Sequence, residues 1–274
     1  MSLNNFIPEL WSGRINSVLQ KSLVFGSCCN RDYEGELSQM GDIVRINTVG
    51  PVTIGTYTKN STSITPQELH DSQSTLLIDK SDYFSFYIED IDKAQASGNI
   101  MAEAMNNAAY ALRDTADTNI GLLYSQAGSI ISTVAITSLN AYECLLTAGQ
   151  TLSQYNVPRE GRWAVLPPWF ITKLVLAKVL VENTTNTALD NGFVGRVAGF
   201  DIKESNNVYN TGGTYYPMFG TNKAMSFVDQ INKVEAYRPE AKFQDAVKGL
   251  HVYGCRVVYP EALVVQTCTV GAEA

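Results

Sequence analysis

Across residues 90–126, Met101, Met105, Ala108, Leu112, Ala116, Ile120 and Leu123 recur at three- and four-residue steps with polar residues between them. That is the spacing of a single apolar helix face. A continuous helix there runs roughly 50 Å at about 1.5 Å per residue, longer than most helices in a domain of this size. It is a rod, with Ser97 and Gly98 the residues placed to interrupt its first turns. The Met and Ala stripe reads as core packing rather than as a cofactor box.

The segments on either side of the rod differ in texture. Before it, residues 42–49 are rich in Ile and Val, and Leu76-Leu77-Ile78 leads into the alternation Phe84, Phe86, Ile88; two strands are expected, the second with period two. Residues 55–74 between them are mostly Thr, Ser, Asn and Gln, too polar to pack a core of their own. A gap of that length inside a domain calls for either a disordered loop or an extended two-stranded loop projecting from the body. Further upstream, Trp11, Ile15, Val18 and Leu19 keep helical spacing, which predicts an arm carrying one short helix.

Beyond Gly128 helices and strands alternate. Ser138 is placed to cap a helix that runs to Ser153 and stops at Asn156 and Pro158. Trp163 to Leu166 reads as a strand. Pro167-Pro168 then opens a helix with the face Phe170, Leu174, Ala177, Val181. Residues 200–205, 215–219 and 225–228 read as further strands, making a second lobe inserted after the rod. Two β-rich runs around the charged turn Arg238-Pro239-Glu240 close the chain. The fold class is α+β.

Composition excludes more than it selects. The 274 residues are 45% hydrophobic and 17% charged, a globular balance sufficient for a sizeable core. A net charge of -7 argues against holding nucleic acid by phosphate neutralisation. Pro8, Glu9 and Arg14 interrupt any secretory apolar region, so the chain is expected in the cytosol. The most apolar window, residues 163–181, contains Pro167, Pro168, Lys173 and Lys178, so no transmembrane segment is expected. Cys28, Cys29, Cys144, Cys255 and Cys268 lack any Cys-x-x-Cys spacing and are expected reduced and buried.

Catalytic signatures are missing. His70 and His251 are the only histidines, too far apart in sequence for a metal-binding helix, and no phosphate-binding loop or nucleophile elbow occurs. Gly192, Gly195 and Gly199 resemble a dinucleotide loop at first sight, but they follow a polar loop and precede a strand. A dinucleotide loop follows a strand and opens a helix, so these glycines are expected in positive-φ turns. The acids Glu34, Glu36, Asp79, Asp82, Glu89, Asp90 and Asp92 could bind a cation or do acid/base work; solvation and the helix N-terminus are the alternative roles. A cytosolic α+β enzyme using these acids is therefore a rival reading. No cofactor or metal is expected.

Ordered motifs carry a family resemblance along nearly the whole chain. Tyr33-Glu34-Gly35-Glu36, Gly41-Asp42-Ile43-Val44 and Ile88-Glu89-Asp90-Ile91-Asp92 lead into the rod. Trp163-Ala164-Val165-Leu166-Pro167-Pro168, Gly195-Arg196-Val197-Ala198-Gly199-Phe200-Asp201-Ile202, Ser205-Asn206-Asn207 and the closing strands follow it. The series resembles tailed-bacteriophage major capsid proteins of the Hong Kong ninety-seven-type (Johnson) fold. The resemblance implies an N-terminal arm at residues 1–30 and an extended loop at 42–88. It also implies a peripheral domain at 31–41, 89–130 and 232–274, built on the spine helix, and an axial domain inserted at 131–231.

What the resemblance implies for function is self-assembly through hexamers and pentamers into an icosahedral virion capsid around double-stranded DNA, in the host cytoplasm. A portal protein and a decoration protein are implied partners. No long scaffold-like region precedes the arm, so a separate scaffolding protein is expected. A shell of the same fold enclosing protein cargo, as in encapsulin nanocompartments, is the nearest alternative. Trp11, Arg14, Tyr57, Lys59, Glu34 and Glu36 are the candidate subunit contacts. Some relatives crosslink an extended-loop lysine to a neighbour's asparagine. Lys59 lies near the expected tip, but nothing here identifies its partner or a catalytic acid, and the crosslink is not carried over.

Overall fold

The apolar stripe forms a helix, α1 (Ile100–Gly121), continued by a 3-10 segment at Leu122–Gln126. The computed structural model describes residues 24–33, 43–49, 71–89, 100–177, 193–239 and 244–273, with positions 54, 56, 58 and 59. The expected first turns of the rod, residues 90–99, lie outside them. The described helix alone is about 33 Å long at about 1.5 Å per residue. Met105, Ala109, Leu112, Ala116 and Ile120 are buried along it, while Asn106, Tyr110, Asp114 and Thr118 face solvent.

Before α1 come β1 (Ile43–Val49), β2 (Asp71–Leu77) and β3 (Lys80–Glu89); after it come β4 (Ser129–Ile136), α2 (Ala141–Gln154), β5 (Arg162–Leu166) and α3 (Pro168–Leu176). Then follow β6 (Phe193–Val197), β7 (Phe200–Glu204), β8 (Asn210–Thr211), β9 (Thr214–Tyr215), β10 (Met218–Thr221), β11 (Met225–Tyr237), β12 (Gln244–Val257) and β13 (Leu263–Val270). β1 and β2 pair with each other as an antiparallel ribbon, Ile43 opposite Leu77. β3 instead joins a three-stranded antiparallel sheet in the order β11-β12-β3. β3 therefore pairs outside the ribbon.

The three-stranded sheet packs on the front half of α1, with Phe84, Phe86, Val234 and Val247 against Met105, Ala109 and Leu112. Alternation in β3 is as read: Ser81, Tyr83, Ser85 and Tyr87 face out and Phe84 and Phe86 face in. β11 is one 13-residue strand, where sequence spacing suggested two runs. A bulge between Ile231 and Lys233 inserts a residue and resets the alternation.

The back half of α1 packs on the larger sheet, ordered β6-β7-β5-β10-β13-β9-β8, with β4 parallel to β13 along its other edge. β5 is buried on both faces. Trp163 and Val165 join Ala116, Ile120 and Leu123 of the α1 segment, and Ala164 and Leu166 join Leu145, Leu152, Phe170 and Leu174 of α2 and α3. A strand so enclosed has no polar side to present, which is why Trp-Ala-Val-Leu runs unbroken.

Several expectations are corrected. β13 belongs to the same sheet as β5 and β10, so residues 232–274 do not all go with the three-stranded sheet. Phe25 and Cys28, within the expected arm, are fully buried in the core. α2 starts at Ala141 behind Asn140, not at Ser138, because the Ser138 amide and hydroxyl are engaged by the Glu273 carboxylate. α3 ends at Leu176 with Ala177 as its cap, short of Val181, which lies outside the described residues. Residues 215–219 are not one strand: Pro217 cannot donate to a ladder, and β9 and β10 separate there.

Candidate functional site

Among the described residues the thiols and the histidine are largely packed into the interior. The five thiols are free; Cys28, Cys29, Cys144 and Cys268 are buried and Cys255 is partly covered. Burial pushes the thiols of Cys28, Cys144 and Cys255 up to about 11 and that of Cys268 up to about 12, away from thiolate chemistry. His251 is 1% exposed; its ring stacks on Tyr253 and Nε2 lies 3.7 Å from Asp229 Oδ2. It is a core residue. Among the described residues no group of His, Cys, Asp or Glu is arranged to hold a metal ion, and no helix is long and apolar enough to cross a membrane.

The glycine pattern resolves as backbone geometry. Ala198 (φ 54°) and Gly199 (φ 85°) form a two-residue turn between β6 and β7, with Val197 opposite Phe200. Such turns need positive φ at both positions, and the element that follows is a strand, which excludes a dinucleotide loop. Gly195 lies inside β6 at a register shift; Gly192 lies outside the described residues.

Three regions are candidates for contact with other molecules. The first is the N-terminal segment. The Phe25 amide donates to Asp117 Oδ1 of α1 at 2.8 Å, and Asn207 Nδ2 donates to Asp117 Oδ2 at 3.3 Å and to Asp114 Oδ1 at 2.8 Å. Burial raises the Asp117 carboxyl to about 6, against the lowering effect of the Phe25, Asn207 and Gly26 donors. Asn30 adds a main-chain bridge, donating to Met225 O at 2.8 Å and accepting from the Phe227 amide at 3.0 Å. One carboxylate thus ties the N-terminal segment, the rod and the loop after β7 together.

The second projection is the β1-β2 ribbon. Leu76 and Ile78 are buried at its root beside Val228, Val252 and Val258. Gly254 of β12 lies so close beneath that a Cβ there would sit 2.4 Å from Leu77 O, and Arg256 Nη1 donates to Thr75 O at 2.9 Å. Ile43, opposite Leu77 at the root, is exposed, as are Ile54 and Lys59 in the segment between the two strands. The third is the outer face of the three-stranded sheet, where Tyr83, Tyr87, Tyr237 and Leu250 stand exposed. Exposed aromatic residues in a group are the composition of a contact surface.

Of the candidate contacts read from sequence, Lys59 is described and exposed; Trp11, Arg14, Glu34, Glu36 and Tyr57 lie outside the described residues. Sequence reading missed Asp117, although its position on the apolar side of α1, between Ala116 and Ile120, was a signal. It also missed Arg162, which opens a wholly apolar strand yet is 4% exposed.

Comparison with known proteins agrees with this geometry. The family described as phage capsid protein matches residues 73–266. A chain from the solved structure of Mycobacterium phage Che8 is 30% identical, with 97% of this chain and 98% of that one covered at a TM-score of 0.76. The capsid structure of the cyanophage P-SCSP1u is similar at 18% identity, 86% and 85% coverage and a TM-score of 0.69. The encapsulin complex from Synechococcus elongatus shares the fold at 12% identity, 87% and 86% coverage and a TM-score of 0.61. No curated protein sequence matches. The family match over residues 73–266 and the likeness to the Che8 chain over nearly the whole of both lengths agree with the helix packed between two sheets: the chain belongs to the phage capsid protein family and is a structural subunit of a shell.

Proposed function

We propose that this chain is the major capsid protein of a tailed bacteriophage, tiling as hexamers and pentamers into an icosahedral shell around double-stranded DNA. The observation that carries the reading is the family match over residues 73–266, together with a fold shared with a phage protein over nearly the entire length of both chains. Ring contacts of this kind are heterologous, and only the correct rotation closes them. Each seam can be weak because every subunit makes many.

Residues 1–23, bearing Trp11 and Arg14, act as the arm, and the loop at residues 42–79, bearing Tyr57 and Lys59, lies across a neighbour; Glu34 and Glu36 sit between them. The three-stranded sheet with α1 is the peripheral domain. Residues 131–221 with β13 are the axial domain. A separate scaffolding protein guides closure in the host cytoplasm, a portal protein occupies one vertex, and a decoration protein binds the outside.

Coexpression with candidate scaffolding proteins, followed by negative-stain microscopy, should give uniform shells. Monomers or amorphous aggregate under every condition refute the reading. Deleting residues 1–21, or shortening residues 55–74, should leave soluble subunits that close no shell; normal shells from either refute the placement of the seams. Encapsulin shares the fold, so a protein-cargo shell is the competing reading, and nuclease-protected DNA inside the particles separates the two.

A further inference from the structure

Between α2 and the Ala198-Gly199 turn lies a cleft of about 400 Å³, lined by Leu146 and Gln150 of α2 and by Arg159 and Arg162. Arg162 is 4% exposed. Its Nε donates to Pro158 O at 2.9 Å, Nη1 to Gly149 O at 3.0 Å, and Nη2 to Val157 O at 2.6 Å and Ser153 Oγ at 3.2 Å. Four of the five guanidinium N–H groups are thereby used, every one on a neutral acceptor. A buried cation normally faces a carboxylate; here no anionic partner occurs among the described residues. The second guanidinium, Arg159, is exposed in the same cleft, makes no ion pair among the described residues, and lowers the pKa of Arg162 in addition to the effect of burial. Two like charges share one recess, and no described residue neutralises them.

The surroundings suit a protein partner. Tyr142, Leu146 and Gln150 recur at four-residue steps along the exposed side of α2, with Leu139 before the helix and Tyr155 after it, all but Gln150 apolar or aromatic and well exposed. An apolar strip leading to a recessed positive charge matches a side-chain carboxylate carried on a folded surface. It does not match a duplex backbone, which needs several cations in a row. The chain itself is an abundant source of such carboxylates, with 27 Asp and Glu against 20 Lys and Arg.

The geometry points to this cleft as the receptor for an Asp or Glu side chain from the adjacent copy of the chain, with the α2 strip as the surrounding seam. The contact is heterologous, since a cleft on one copy takes an acid from a different surface of the next. It rests on the shell reading above and assigns a specific seam within it.

The test uses the full chain, coexpressed with its scaffold, as wild type and as R159E and R159K. R159E should leave the subunit soluble with a melting temperature no lower than wild type, because Arg159 is exposed and a carboxylate there relieves its repulsion with Arg162, and should reduce closed shells at least about tenfold, as reversal of a recessed interface charge does. R159K shells should form, and a zero-length carbodiimide should join the new amine to a carboxylate of another subunit, identified by peptide mass spectrometry. Normal R159E shells, or shells in which the R159K amine couples only within its own chain or not at all, overturn the inference while leaving the shell reading intact. R159E shells that close normally but lose DNA assign the cleft to nucleic acid and overturn it as well. A wild-type chain that forms no particle refutes the shell reading and removes this inference with it.

Discussion

Asp117 gives the sharpest quantitative prediction, because its two neutral replacements should act in opposite directions. The carboxyl is 4% exposed and raised from 3.8 to about 6, chiefly by burial. At about 1.4 kcal/mol per pH unit, that gap is a cost of about 3 kcal/mol for keeping the native state ionised at neutral pH. The folded chain holds this proton more tightly than the unfolded one. The contribution therefore favours folding below about pH 4 and is lost as pH rises through about 6. Asp117→Asn keeps an oxygen for the Phe25 amide and removes the charge. At pH 7.5 it should equal or exceed wild type by up to about 3 kcal/mol, and its advantage should vanish at pH 4. Asp117→Ala leaves the Phe25 amide and the Asn207 amide without their acceptor and should cost about 2–4 kcal/mol at pH 4, where wild type carries no charge penalty. Urea unfolding of the unassembled subunit at both pH values measures these differences. An Asp117→Asn subunit as unstable as Asp117→Ala at pH 7.5 would refute the argument, since the charge itself would then be holding the joint.

Phe25→Ala, at a fully buried site, should cost about 3–5 kcal/mol and lower the thermal midpoint; an unchanged midpoint would detach the N-terminal segment from the core. Gly254→Ala forces a methyl against the Leu77 carbonyl and should cost about 1–3 kcal/mol, with the ribbon's direction altered; shells formed at wild-type yield would show that its root is not critical. A thiol reagent at pH 7 should label at most Cys255 rapidly in the native subunit and all five cysteines after denaturation, because the other four are buried. Rapid native labelling of two or more would contradict the packing. Lys173 and Ser138 hold the Glu273 carboxyl down to about 2, so an NMR titration should find it ionised at pH 3, where ordinary glutamates are protonated.

The elements readable from sequence were those whose signal is local. The α1 stripe is a repeated spacing, and the alternation in β3 needs only its own residues and one wet face. Pairing is different. Nothing in Leu-Val-Val-Gln-Thr-Cys-Thr-Val states that β13 joins β10 rather than β12, because an apolar strand fits the middle of either sheet. The β8-β9 ribbon went unread although Gly212 and Gly213 both take positive φ at its turn, since its two-residue strands are too short to show a period. Arg162 and Asp117 were opaque for a related reason. A single charge in an apolar run is ordinarily solvated, and only the fold brings carbonyls around the first and main-chain amides to the second.

The position of β13 has a consequence for how the subunit comes into being. It follows every other described strand in chain order, yet it lies between β4 on one side and β10 and β9 on the other. A nascent chain emerging from the ribosome carries the sheet in three pieces, β6-β7-β5-β10, β9-β8 and β4, until residues 263–270 arrive, since no other described strand joins them. Long-range closure of this kind comes late in folding. Residues 263–270 must therefore have been made before the lobe exists in a shape that another subunit could grip.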